Sequence, residues 1–248
     1  GMHWVAHGTV HLVLYRLVYY NLTLSTWQVD SVGRLGLFLV SNYLLYLRVS
    51  GQFHLVIGIL HLFGFGLPRT NRRYYLASSF SDFWRRINIY WKDFMTKMVY
   101  YPVFVRMRGK GEKTALLIAT LSVFAGTALL HVYQWFWLRG EFFLTKREVA
   151  FWLGIGTLVA IGSLRSFKAT APGAAPTSRA APGGERGRRV LRTGVMFAVM
   201  CVFWSFYTSS SFAEWRELWH WAYLTRFGPV ALLASVAVMA LVLVSAWL

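Results

Sequence analysis

Long apolar runs separated by short polar breaks dominate the chain, and several runs are too long for the core of a soluble domain. "FGPVALLASVAVMALVLVSAWL", from Phe227 to Leu248, holds no charged side chain and is about as long as a helix crossing a bilayer. The pattern predicts spans over roughly 5–20, 34–48, 52–66, 114–138, 149–164, 193–210 and 228–248. Several of these are short, which predicts re-entrant or tilted helices. Gly66 and Pro68 stop the third. The fold class expected is all-α, a polytopic transmembrane helical bundle.

One segment does not fit this pattern. In "SSFSDFWRRINIYWKDFMTKMVYYP" (Ser78–Pro102) aromatic and basic residues alternate with helical spacing. Over 80–98, Phe80, Phe83, Trp84, Ile87, Trp91, Phe94, Met95 and Met98 fall on one helix face. Asp82, Arg85, Arg86, Lys92, Asp93, Thr96 and Lys97 take the rest, with Asn88 at the edge. Such a helix lies in the membrane interface instead of crossing it. It is expected near the cytoplasmic face, with Trp84 and Trp91 inward and Lys92 and Lys97 towards water.

Charge then orients the bundle. The formal net charge is +17 in a chain that is 56% hydrophobic. For a soluble protein that excess would suggest nucleic acid. In a membrane protein it belongs to cytoplasmic loops beside anionic lipid, so no nucleic-acid partner is expected. Residues 69–113 hold eleven Lys or Arg against Asp82, Asp93 and Glu112, and residues 165–192 hold seven against Glu185. Two predicted spans separate these regions and return the chain to the same side. The turn over 139–148 is nearly balanced, so both basic regions are expected to be cytoplasmic. Residues 169–190, rich in Ala, Pro and Gly, read as a flexible, dispensable loop between a core over 1–168 and C-terminal helices over 191–248. Cys201 alone cannot form an internal disulfide or a cysteine metal cluster. Gly1 before Met2 suggests a fragment end, and no cleavable signal peptide is expected.

Candidate chemistry lies on the apolar run over 114–138. Thr120, Thr127, His131 and Gln134 fall within about a sixth of the helix circumference. A polar stripe on a spanning helix faces protein or a watery cavity. His131 therefore reads either as a functional group or as a packed histidine bonded to a neighbouring helix. A second set, His3, His7 and His11, repeats at i, i+4 and i+8 on one face. Two histidines so spaced can bind zinc. No nearby acid or cysteine completes a site, so helix-buried polar contacts are the expected role and no metal is expected. His54 and His61 share a face and read as structural or cavity-lining. The aromatic cluster around Glu217–Trp221 reads as an interface belt.

"HLFGFGLPRTNRRYYLASSFSDFWRRINIYWKDFMTKMVYYPVF" (His61–Phe104) resembles the signature region of the membrane-bound O-acyltransferase family. The nearest branch is bacterial, that of alginate O-acetyltransferases and the D-alanyl transfer proteins of teichoic acid. Gly64, Phe65, Leu67, Pro68, Asn71, Tyr75, Ser79, Phe83, Trp84, Arg85, Arg86, Tyr100 and Pro102 carry the resemblance. Upstream, Ser50, Gly51, Ile57 and Gly58 match a second run. Downstream, "LLHVYQWFWLRG" places His131 on the family's catalytic histidine. The likeness covers about residues 43–140, and its Phe83–Arg86 centre is specific. Two positions depart: Asn88 stands where the bacterial branch often has histidine and other branches Asn or Asp, and Ile87 stands where that branch has tryptophan. Family chains are longer, so the N-terminal half of the fold is expected to be missing.

The resemblance implies transfer of an acyl group from a thioester, acyl-CoA or an acyl carrier, to a hydroxyl of an exported polysaccharide or other envelope glycan. It implies the inner membrane of a bacterium and no bound cofactor, and it leaves room for a donor-delivering partner protein. His131 is then the general base, since the ordinary imidazole pKa of about 6.5 lies near working pH. Asn88 would donate to an oxyanion or orient a substrate. Arg85 and Arg86 would bind donor phosphates, or else lipid headgroups, with Trp84, Thr127 and Gln134 lining the substrate site. His131 lies about 25 Å along its helix from Thr114, and the resemblance implies a tunnel in which a cytoplasmic donor and an exported acceptor would meet. The alternatives are a transporter or channel whose pathway the stripe lines, and an inactive fragment that binds partners.

Overall fold

In the computed structural model residues 1–142, 144–169, 182–224 and 228–247 are described, and among them the regular structure is helical, with no strand. Eleven α-helices follow one another: α1 (Met2–Asn21), α2 (Val32–Leu44), α3 (Leu47–Leu62), α4 (Phe80–Arg86), α5 (Ile89–Met95), α6 (Tyr101–Met107), α7 (Glu112–Arg139), α8 (Lys146–Ala169), α9 (Pro182–Thr208), α10 (Phe212–Leu224) and α11 (Pro229–Trp247). Among the described residues four helical runs are long and apolar enough to cross a membrane: Val32–Leu62, Glu112–Arg139, Lys146–Phe167 and Glu185–Thr208. The protein is an all-α transmembrane bundle.

Two expected boundaries shift. The short spans expected over 34–48 and 52–66 form one 31-residue run. Leu45 and Tyr46 keep right-handed helical dihedrals (φ −60 and −62), so α2 passes into α3 without leaving the helical region. Of the loop expected over 169–190, residues 170–181 lie outside the described residues. Residues 182–190 are not loop but the start of α9, which is exposed over 185–189. Pro182 suits a first helical position, and Glu185 precedes Arg189 by the four residues at which opposite charges face each other on a helix.

Contacts group the chain into two units, Gly1–Leu76 with Val190–Leu248, and Ala77–Arg189. In the first, α1 lies along α3 at very short range. A Cβ on Gly8 would stand 2.8 Å from the Gly51 carbonyl oxygen, and one on Gly51 would stand 3.0 Å from that of Gly8. Glycines at such a crossing let two backbones touch, as in helix pairs that associate inside lipid. Rings from four segments form a second centre. Tyr74 and Tyr75 lie 4.1 Å apart, Tyr43 packs on Phe197 at 5.5 Å, and Tyr46 on Trp204 at 5.3 Å. Cys201 is buried in α9. The Trp215 indole N–H donates to Ser205 Oγ at 3.1 Å, and Asn42 Nδ2 donates to Thr208 Oγ1 at 2.8 Å.

In the second unit α7 and α8 form an antiparallel-type pair joined by a short connection, and α4 to α6 pack against them. Phe124 of α7 is fully buried. It sits in a notch at Gly156 of α8, where a Cβ would lie 2.8 Å from the Phe124 Cβ. Met95 is fully buried too, its methyl 3.0 Å from where a Cβ on Gly126 would stand. Ser81 Oγ of α4 donates to the Val159 carbonyl of α8 at 3.2 Å.

The single amphipathic helix expected over 80–98 is broken. Ser79 caps α4 by accepting the Asp82 N–H. The helix ends at Ile87, which is extended (φ −96, ψ 140). Asn88 follows in the left-handed region (φ 41, ψ 60) and α5 starts beyond it. A five-residue π turn, Thr96–Tyr100, joins α5 to α6. The apolar face holds through Phe83, Ile87 and Met95, which are buried. It is lost at Phe94 and Met98, which are 48% and 62% exposed. Side-chain spacing reports which way residues face, and a single reversed dihedral re-aims every residue after it. Lys97 is exposed as expected, whereas Lys92 is only partly so and pairs with Asp93 at 2.5 Å.

The Gly156 notch gives the first prediction. Gly156→Val should destabilise the folded protein by about 1–3 kcal/mol, the usual cost of overpacking. Gly66→Val, at a position with nothing within 4 Å of its Cβ, should leave the melting temperature in detergent unchanged. Equal melting of the two variants would show that the notch sets no spacing.

Candidate functional site

A spanning helix has no water to solvate its polar side chains, so each polar group on α7 needs a partner within the protein. Thr127 is fully buried, and its hydroxyl donates to the Val123 carbonyl one turn back at 2.8 Å. The same oxygen accepts the indole N–H of Trp91, on α5, at 3.2 Å. Thr127 thus ties α5 to α7. Its proton is committed within the helix, so it anchors Trp91 rather than offering a substrate donor.

His131 lies one turn further along. Its Nδ1 is 3.1 Å from the Thr127 carbonyl oxygen. A carbonyl only accepts, so a hydrogen sits on Nδ1, and in the neutral ring Nε2 then keeps its lone pair. Two tryptophans flank the half-buried ring. Trp152 of α8 meets it edge-on with centroids 4.7 Å apart, and Trp91 does so at 6.1 Å. Glu148, one helical turn before Trp152, is 7% exposed. Its carboxylate accepts the Thr145 N–H at 3.2 Å. His131 thus donates from Nδ1 to the Thr127 carbonyl and is held between two indoles, with the buried Glu148 one turn from Trp152.

The other predicted residues divide. Trp84 packs on Phe124 with centroids 4.5 Å apart, fastening α4 to α7. Arg86 donates through Nε to Asp82 Oδ1 at 2.8 Å. Arg85 is 3.9 Å from the same oxygen, with a side chain 70% exposed. Arg86 is thereby committed to α4, and Arg85 remains the guanidinium open to an external anion. Gln134 is exposed on α7, and Thr120 is buried there. Asn88 occupies the left-handed link, where its carbonyl accepts the Lys92 N–H at 3.0 Å. The structure thus gathers Trp91, Thr127 and His131, and adds Trp152 and Glu148, which sequence reading missed. Their signal was present but incomplete: a carboxylate and an indole four residues apart at the head of an apolar run, with nothing to say which helix they face. A groove of about 430 Å³ along α1, lined by Leu12, Val13, Arg16, Leu17 and Leu55 among others, contains none of these residues.

No protein-family model matches the chain, and no curated protein matches it.

Asp82 gives a prediction in acid. Burial pushes its carboxyl up, but the Arg86 hydrogen bond, the Ser78 N–H and the charges of Arg86 and Arg85 outweigh that and hold it below its ordinary value of 3.8. A carboxyl with a lowered folded pKa contributes stability above its unfolded value and loses it as pH falls through the folded one. Thermal melting should therefore drop more steeply below about pH 4 in the wild type than in Asp82→Asn. Parallel melting curves for the two across that range would contradict the pairing.

Proposed function

We propose that this chain is the histidine-bearing part of a membrane-embedded O-acyltransferase that moves an acyl group from a thioester donor to a hydroxyl of an exported polysaccharide or envelope glycan. The observation that carries the reading is His131: the Thr127 carbonyl holds the hydrogen on Nδ1 at 3.1 Å, which leaves Nε2 a base. The resemblance over His61–Phe104 supplies the reaction class.

In this reading Nε2 of His131 takes the proton of the acceptor hydroxyl as its oxygen attacks the thioester carbonyl. The C–O bond forms and charge gathers on the carbonyl oxygen. The C–S bond then breaks, and the imidazolium returns its proton to the leaving thiolate. The buried Glu148 carboxylate favours the transient imidazolium, as opposite charge does in a site of low dielectric. The Asn88 amide donates to the oxyanion. Arg85 holds a donor phosphate, and Trp91 and Trp152 keep water from the base. The donor arrives from the cytoplasm of a bacterium, where the basic regions 69–113 and 165–192 face anionic lipid of the inner membrane.

His131→Ala should lower acyl transfer at least ~10²-fold, with protein level little changed. The assay follows a labelled acyl group from thioester to glycan in membranes matched for protein. Transfer at the wild-type rate would return the stripe of Thr120, Thr127, His131 and Gln134 to packing or to a transport path. Asn88 needs two variants, because its left-handed backbone costs a residue such as alanine roughly 1–2 kcal/mol. Asn88→Gly keeps the link relaxed and removes only the amide. It should still slow transfer about 10²-fold, while Asn88→Ala slows transfer and also melts earlier. Full activity in Asn88→Gly would restrict the residue to a backbone role. Asn88→His should retain activity, since histidine also tolerates this conformation.

A further inference from the structure

One side of α1 is taken up by α3 and the other is open. Gly8 meets Gly51, and a Cβ on Gly58 would stand 2.6 Å from the Val5 nitrogen, so α1 runs antiparallel along α3. Across that contact the His7 and His11 rings meet His54 of α3 at centroid distances of 4.8 and 5.3 Å. α3 belongs to the spanning run Val32–Leu62, and α1 beside it shares its depth in the membrane. Thr9, Val13, Arg16, Leu17 and Tyr20 recur at helical spacing on the opposite side of α1. With Leu12 and Leu55 they line the groove of about 430 Å³.

We propose that this groove binds one anionic phospholipid, with an acyl chain along Leu12, Val13, Leu17 and Leu55 and the headgroup phosphate on Arg16. Three features support that occupant. The first is charge. Arg16 is the charged residue among those lining the groove, and no carboxylate stands before Asp30 in the sequence or on α3. Arg16 Nη1 donates to the Tyr20 hydroxyl at 2.8 Å, and the guanidinium lies 5.7 Å from the Tyr20 ring centroid. That bond uses one of five N–H donors and leaves four for phosphate oxygens. The other polar lining residues turn back on their own helix. Thr9 Oγ1 donates to the Val5 carbonyl at 2.9 Å, and Asn21 Nδ2 donates to the Leu17 carbonyl at 2.8 Å.

The second feature is length. Thr9 and Tyr20 are eleven residues apart, about 16 Å of helix, which is half the ~30 Å hydrocarbon core of a bilayer. A groove of that length matches the acyl chain of one leaflet, whereas a partner helix crossing the membrane would need a groove twice as long. The third is level. Tyr19 and Tyr20 are exposed at the end of α1, where amphipathic rings mark the membrane interface. Arg48, at the head of α3, stands at the same end of the pair, its guanidinium 5.9 Å from the Tyr15 ring centroid. Cations so placed meet lipid phosphates, and the apolar wall runs from them towards the bilayer centre. A chain already in lipid gains nothing from leaving water, so close fit and the Arg16 charge are what favour the groove over the bulk bilayer. The site lies on α1 and α3, contains no residue assigned to acyl transfer, and stands independently of that reading.

The test is native mass spectrometry of the full chain from mixed micelles that contain phosphatidylglycerol and phosphatidylcholine with identical acyl chains. The expected result is one phosphatidylglycerol retained per chain, preferred over phosphatidylcholine on the order of fivefold, the attraction of a single basic residue for anionic lipid. Arg16→Gln should still retain lipid but lose the preference, and Arg16→Lys should keep it. Val13→Trp should fill the groove and release lipid of both kinds. Val13 and Arg16 are exposed, so melting temperatures should match the wild type in all three variants. Arg106→Gln, which removes an exposed cation on α6, should leave the preference unchanged. Equal retention of the two lipids by the wild type, a preference that survives Arg16→Gln, or undiminished lipid on Val13→Trp would overturn the proposal. So would a loss of dimers in Val13→Trp with lipid unchanged, which would assign the groove to a second copy of the chain.

Discussion

A phenylalanine ring seated in a glycine notch sets the distance between α7 and α8, and the candidate site follows from that distance. Phe124 touches Gly156 on one side and stacks with Trp84 on the other. One buried ring therefore fixes three helices. In lipid, where helices gain little from hiding apolar surface, such close steric fit is what holds neighbours together. Trp152 lies one turn before Gly156 on α8, and His131 lies two turns beyond Phe124 on α7. The notch thus fixes the register that brings indole and imidazole to 4.7 Å.

Asn88 meets two demands at once. The chain must turn between α4 and α5 so that Trp91 can reach Thr127, and that turn places residue 88 at positive φ. Asparagine, aspartate and histidine are the side chains most often found there besides glycine. A backbone requirement alone would select the same short menu that an amide or imidazole donor would. The variants that separate the two are those that keep the dihedral and change the chemistry.

Much of the architecture was legible in the chain. Apolar run length located α7, α8 and the membrane-facing part of α9, because hydropathy over a long window averages out local detail. The polar stripe on α7 was legible because the helical period is regular. What escaped depends on single dihedrals or on distant neighbours. Two separate spans were expected over 34–48 and 52–66, yet the backbone at Leu45 and Tyr46 stays helical and the run continues. The break at Asn88 left the face pattern of 80–87 intact, so periodicity could not register it. Arg86 read as a phosphate ligand because nothing in the sequence weighs a solvent-exposed role against an acid one turn away. His54 joined the α1 histidines only through the contact between Gly8 and Gly51, which no local pattern announces.

The solitary thiol has a practical side. Cys201 is buried within α9, so the native surface presents no sulfur to a water-soluble maleimide. Any cysteine introduced at an exposed position becomes the one reactive handle on the molecule, with no need for a cysteine-free background. Arg85, Lys97 and Glu141 are exposed positions where such a handle would sit. Labelling them from outside or inside sealed vesicles would report the sidedness of the bundle directly, with the wild-type protein itself as the blank.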